Sequence, residues 1–247
     1  MCLINIAWQH HPDFPLIILA NRDEFHERPT RSLHRWESGI YGGQDLQEGG
    51  MWMGISETGH FAAITNYRDP DALLSSAPSR GELVRNYLEN VRNPEAMQDY
   101  LMEHGARYNG FNLFYGDQEE LRYFNNVEMT GKKLQSGIYG LSNALLDTPW
   151  PKLKKSKVGF KKYIQGAFSP EKLQQLFSDK ELAHPAELPS TGVPLALERQ
   201  LSAICISTEG YGTRSTALIY VDKDRYTNYF EWGVIPEGDT RLTFRIT

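Results

Sequence analysis

Cysteine is scarce in this chain of 247 residues, which has only Cys2 and Cys205. Two cysteines cannot build a disulfide framework or a zinc site, and neither belongs to a Cys-x-x-Cys pair. A reducing compartment is the simplest expectation. Basic charge is also short: 26 Lys and Arg stand against 31 Asp and Glu, for a net charge of −5 and a pI near 5.8. Binding a phosphate backbone needs a basic surface, so nucleic acid is not an expected partner. No apolar run approaches the roughly 20 residues of a transmembrane helix. Asn5, Gln9, His10, His11 and Asp13 break up any secretory signal core at the start, and a cytoplasmic location is expected. Nucleotide loops of the Gly-x-Gly-x-x-Gly or Gly-x-x-x-x-Gly-Lys-[Ser/Thr] kind are missing, as are His-Glu-x-x-His and Cys-x-x-Cys-His. The seven histidines are scattered, and no metal site is expected.

A folded core is well provided for. Hydrophobic residues make up 40% of the chain and aromatics 12%, too rich for disorder. Leu3–Trp8 and Leu16–Ala20 read as strands, and Met51–Ile55 with His60–Thr65 as a hairpin around Glu57-Thr58-Gly59. Residues 26–50 read as turns and charges. Ser79 followed by Glu82 predicts a capping box opening a helix through Leu83, Tyr87 and Val91. Pro94 starts a second helix that stops near Gly105. Strands follow at Phe111–Tyr115, Leu121–Phe124 and Gly137–Leu141. Helices are expected over Pro151–Ile164 and Leu173–Phe177, then a surface loop at 183–194. Four strands close the chain: Leu201–Ser207, Thr216–Asp222, Tyr226–Trp232 and Leu242–Ile246. Strands, two helices, strands, two helices and strands predict an α+β sandwich in one domain over residues 1–247, not a βαβ alternation.

Chemistry-bearing residues gather at strand ends, where sites are commonly built. Cys2 begins the first strand; Asn21, Arg22, Asp23 and Glu24 close the second. Asn66, Tyr67, Arg68 and Asp69 close the hairpin. Ser142 and Asn143 end the strand from Gly137, and Gly212-Thr213-Arg214-Ser215 precedes the strand from Thr216. Each has a plainer reading. A lone cysteine among apolar residues is commonly a small core hydrophobe. Arg22 beside Asp23 or Glu24 could be a surface ion pair, Asn66 and Asn143 turn residues, and Arg214 a bridge between carboxylates.

A family resemblance favours the functional reading. MCLI at the start, ANRDEFHERPT at 20–30, GGMWMGIS at 49–56, AAITNYRDP at 62–70, GLSNALLDTPWPK at 140–152 and GTRSTALIYVD at 212–222 resemble the NRDE family, also called the transport and Golgi organisation protein 2 family. Met51 departs from it, standing where the family usually has a small hydroxyl residue. The family in turn resembles, remotely, N-terminal nucleophile hydrolases of the cholylglycine hydrolase and penicillin V acylase type. That likeness implies a four-layer αββα sandwich. It also implies a site of Cys2, Arg22, Asp23, Asn66, Asn143 and Arg214, which occur here in the order those enzymes use. In those acylases two residues separate the arginine from the aspartate; here the pair is adjacent.

The resemblance implies an amidohydrolase acting on a small acyl-amide or acyl-ester, needing no cofactor. Removal of Met1 would give Cys2 a free α-amine, with a pKa near 8, to act as base for its own thiol. Arg22 would favour the thiolate and Asp23 orient the amine. Asn66 and Asn143 would donate to the oxyanion, and Arg214 would support the site. The alternative is a non-catalytic protein of the same fold that binds and traffics haem or acyl-CoA and lipid. Under it His10, His11 or His26 would touch haem, Trp8, Trp36, Trp52 and Trp150 would line a cavity, and Lys152, Lys154, Lys155, Lys157, Lys161 and Lys162 would face phosphates or a membrane surface. The residues leave open which of the two holds, and they do not fix the oligomeric state.

Overall fold

The computed structural model describes the backbone from Cys2 to Thr247 apart from Ala167, and side chains from Leu3 onward with the same exception. The chain forms β1 (Cys2–Trp8), β2 (Leu16–Phe25), β3 (Thr30–Arg35), β4 (Ile40–Asp45), β5 (Met53–Ser56) and β6 (Phe61–Asn66) before its first helices. These are α1 (Gly81–Asn86), prolonged by a π turn over Tyr87–Val91, and α2 (Pro94–His104). Next come β7 (Phe111–Gly116), β8 (Leu121–Asn125), β9 (Thr130–Leu134) and β10 (Gly137–Leu141). Helices α3 (Pro151–Gln165), α4 (Pro170–Phe177) and α5 (Leu195–Gln200) follow, and β11 (Tyr211–Val221), β12 (Tyr226–Val234) and β13 (Glu237–Arg245) end the fold.

Two antiparallel sheets result, in the orders β10-β1-β2-β11-β12-β13 and β3-β4-β5-β6-β7-β8-β9. Alternation along β1 and β2 explains their unbroken apolar runs. Ile4, Ile6, Trp8, Leu16, Ile18 and Ala20 face the second sheet, in the larger core cluster. Leu3, Ala7, Ile17 and Leu19 face the other way, against Leu153, Phe160 and Ile164 of α3 and Leu173 and Phe177 of α4. A strand covered on both sides has no polar face, so it reads as continuous hydrophobicity. On the far side, Leu83, Val84, Met97 and Leu101 of α1 and α2 close over the seven-stranded sheet. The order helices, sheet, sheet, helices is the αββα sandwich.

Several local expectations are corrected. Residues 26–50 hold β3 and β4, whose short, polar, glycine-containing sequences carry little strand signal; β9, with Gly131, Lys132 and Lys133, is missed for the same reason. The capping box does not form: α1 follows Arg80 without a side-chain cap, and Glu82 accepts the Tyr108 hydroxyl instead. Leu201–Ser207 is no strand, although its apolar residues are buried. Its backbone answers to other partners, with Cys205 N donating to Asp179 O at 2.8 Å and Thr213 N donating to Ile206 O at 2.8 Å. No helix among the described residues is long and apolar enough to cross a membrane.

Candidate active site

Strand β2 runs through the Asn-Arg-Asp-Glu motif rather than stopping before it, so alternation aims successive side chains at opposite layers. Asn21 faces the helices and is structural: Nδ2 donates to Phe177 O and Ile204 O at 2.8 and 2.9 Å, and Oδ1 accepts from the Thr216 hydroxyl at 2.7 Å. Arg22 turns between the sheets, its guanidinium 4.3 Å from the centre of the Trp52 ring and Nη1 donating to Thr30 Oγ1 at 3.1 Å. Asp23 turns back to the helical side, 1% exposed, where Oδ1 accepts from the Thr213 hydroxyl of β11 at 2.7 Å. In β1 the backbone of Cys2 lies in register with Arg22 and that of Leu3 with Asn21. Met1 and the Cys2 thiol lie outside the described residues.

The two asparagines meet. Asn143 is fully buried past the end of β10, and its Nδ2 donates to the backbone carbonyl of Asn66 at 2.9 Å. The backbone N–H of Arg68 donates in return to Asn143 O at 2.8 Å. Asn143 Oδ1 is buried with no hydrogen-bond partner among the described residues. Arg214 takes a different position. Its Nε donates to Ile235 O at 2.6 Å, and Nη1 donates to Phe25 O and Arg28 O at 2.7 and 3.0 Å. A guanidinium spent on three carbonyls fixes the end of β2 and its turn, at a bulge between Thr213 and Ser215.

A cavity of about 240 Å³ opens over this strand end, lined by Arg22, Asp23, Trp52, Asn66, Ser79 and Arg80, with further residues around its rim. Gly81 lines the cavity and is approached closely from behind: a Cβ on Gly50 would come within 2.6 Å of its backbone. Met51 is 1% exposed. A Cβ on Gly42 or Gly54 would meet its side chain at 3.0 or 2.9 Å, so Met51 fills core space between the two glycines and serves no polar role.

Residues 1–235 match the family model described as Transport and Golgi organisation 2. The chain belongs to this family. It is 35% identical to the human Transport and Golgi organization protein 2 homolog over 94% of this chain and 92% of that protein. Against the Bos taurus homolog it is 34% identical over 98% of this chain and 96% of the other. Among solved structures, the C2A mutant of a conjugated bile acid hydrolase from Clostridium perfringens aligns over 99% of this chain and 97% of its own, at 9% identity and a TM-score of 0.50. That likeness is one of fold, and the fold is that of the N-terminal nucleophile hydrolases.

In this Transport and Golgi organisation 2 family chain, the strand-end residues sit among buried charges that the sequence does not advertise. Lys152, at the start of α3, is 2% exposed; it belongs to the interior and not to a lysine face turned toward phosphates. Burial raises the Asp23 carboxyl above its ordinary value, while Lys152 and the Thr213 hydroxyl pull it down. Arg68 donates through Nη1 to Glu198 at 2.6 Å, with side chains 6% and 3% exposed, and its guanidinium sits 4.9 Å from the Trp150 ring centre. Glu198 also accepts from the backbone N–H and hydroxyl of Thr191. Glu231 of β12, 5% exposed, accepts from Leu33 N at 3.1 Å. Burial raises its carboxyl, and Arg22 among others lowers it.

Their burial is not legible in the sequence, because a lone charged side chain reads as solvated and only tertiary contacts show that it is enclosed. The second cysteine is no rival to the first. Cys205 is 3% exposed, and burial pushes its thiol up, which disfavours the thiolate. Among the described residues no group of three or more His, Cys, Asp or Glu is placed to hold a metal ion.

Proposed function

We propose that the protein is a cysteine N-terminal-nucleophile amidohydrolase acting on a small acyl-amide or acyl-ester. The observation that carries this reading is the β1–β2 register. It sets the Cys2 backbone against Arg22, next to a buried Asp23, where a cavity opens to solvent. In the proposed cycle, removal of Met1 frees the Cys2 α-amine, which accepts the thiol proton. The thiolate attacks the acyl carbonyl, and the Arg22 charge favours the thiolate over the thiol. Asn66 and the Asn143 amide donate to the oxyanion of the tetrahedral intermediate. The α-ammonium returns the proton to the leaving amine or alcohol, and water hydrolyses the thioester. Arg214 acts at one remove, holding the end of β2 in place.

The test compares wild type with Cys2→Ala for product release from a panel of acyl-amides and acyl-esters, and for retention of haem and acyl-CoA. Turnover by wild type that vanishes in Cys2→Ala supports the hydrolase. No turnover from either protein, with haem or acyl-CoA held equally by both, overturns it in favour of a carrier.

A further inference from the structure

We infer that β13 is an interface between two copies of this chain, joined edge to edge so that their six-stranded sheets become continuous. This inference stands independently of the catalytic reading. The two sheets leave β10, β13, β3 and β9 as open edges, and open edges invite pairing unless they are guarded. Three are guarded. The short strand β10 is covered by the loop that follows it, with Asp147 N donating to Gly140 O at 2.9 Å and Gly140 N donating to Asp147 Oδ1 at 2.8 Å. Strand β3 loses its register between Arg31 and His34. Strand β9 has five residues, among them Lys132 and Lys133.

Among the described residues, strand β13 has no covering loop, no break in register and no lysine, and its charges are of both signs. It has nine residues, pairs with β12 along its whole length, and contains no proline. Ile246 N donates to Arg225 O at 3.0 Å. By the alternation of an antiparallel ladder, the even-numbered positions therefore bond toward β12, and Asp239, Arg241, Thr243 and Arg245 turn their N–H and C=O groups outward. The side chains of those four residues are all exposed.

The charges choose the occupant. They are of both signs and are separated along the strand, with Asp239 toward one end and Arg245 at the other. An antiparallel second copy related by a two-fold axis through Leu242 sets Asp239 opposite Arg245 at both ends and Arg241 opposite Thr243 between them. Opposite charges directly across a strand pair are favourable, and like charges are not. The two end pairs are thus complementary, as a two-fold interface requires, with the two Arg241 side chains lying diagonally across the axis between them.

Light scattering coupled to size exclusion, run on the full chain over a dilution series, tests this. We expect a dimer that dissociates on dilution. Asp239→Arg should weaken association about tenfold or more by placing like charges together, and the doubly swapped Asp239→Arg/Arg245→Asp chain should restore it. Both positions are exposed, and thermal unfolding of each variant confirms that its fold is kept. A monomer at every concentration overturns the inference, as does a dimer indifferent to Asp239→Arg or a loss that the double swap does not repair.

Discussion

Arg68 and Glu198 meet at 2.6 Å across 130 residues of sequence, both side chains nearly dry. The pair joins the segment that leaves β6 next to Asn66 to helix α5, and Trp150 stacks on the guanidinium. Removing one member of a buried pair strands the other charge. Glu198→Ala should therefore cost about 3–5 kcal/mol of stability, read as a lower urea midpoint. The double variant Arg68→Met/Glu198→Gln should recover most of that loss, because no charge is then left unpaired and the new amide oxygen still accepts from Thr191.

Thr213 is a second junction. Its hydroxyl donates to Asp23 and accepts from the backbone N–H of Ile206 at 2.9 Å. Thr213→Val takes the hydroxyl from both buried partners and leaves the Ile206 N–H without its acceptor, and should cost about 1–3 kcal/mol. It should also push the Asp23 carboxyl further up, since the hydroxyl is one of the groups holding it down. Thr213→Ser should keep most of the stability and show no such shift in the carboxyl titration followed by NMR.

Glu231 gives a signed pH dependence. Its carboxyl is raised in the folded chain, chiefly by burial. Over the range between the ordinary glutamate value and the raised one, the folded state holds a proton that the unfolded state has lost. Stability from this group is therefore full at acid pH and is lost as pH rises through that range. Glu231→Gln keeps an acceptor for Leu33 N and cannot ionise. We expect it to exceed wild type in stability by a margin that grows with pH and then levels off, measured by urea unfolding across pH. A margin independent of pH would contradict this.

Asn143 is the more constrained of the two proposed oxyanion donors, its amide tied to Asn66 O. Asn143→Ala should lower kcat by about 10²–10³-fold, with a smaller change in KM. Cys205→Ala should leave turnover intact, since that thiol is buried and raised.

The sandwich was legible because β1, β2 and β11 carry runs that are apolar on both faces and because α2, α3 and α4 have clear proline starts. Leu16–Ala20 could hardly be anything but a buried strand. Strands β3, β4 and β9 were not legible: Thr30, Arg31 and His34, or Lys132 and Lys133, owe their strand state to neighbours and not to their own preferences. At the site, the order of Cys2, Arg22, Asp23, Asn66, Asn143 and Arg214 could be read along the chain. That Arg214 clamps carbonyls, and that Lys152, Glu198 and Glu231 are buried, could not, because burial of a charge depends on distant segments closing over it.

The central claim is a covalent step at Cys2, and the most direct measurement is mass spectrometry of the protein caught during turnover. Protein lacking Met1 is mixed with an acyl-ester, quenched in acid within the burst, and its N-terminal peptide weighed. We expect that peptide to gain the mass of the acyl group on Cys2, and the gain to be absent from Cys2→Ala. An N-terminal peptide that stays unmodified while product is released, or a substrate panel that yields neither adduct nor product, would contradict a nucleophilic Cys2.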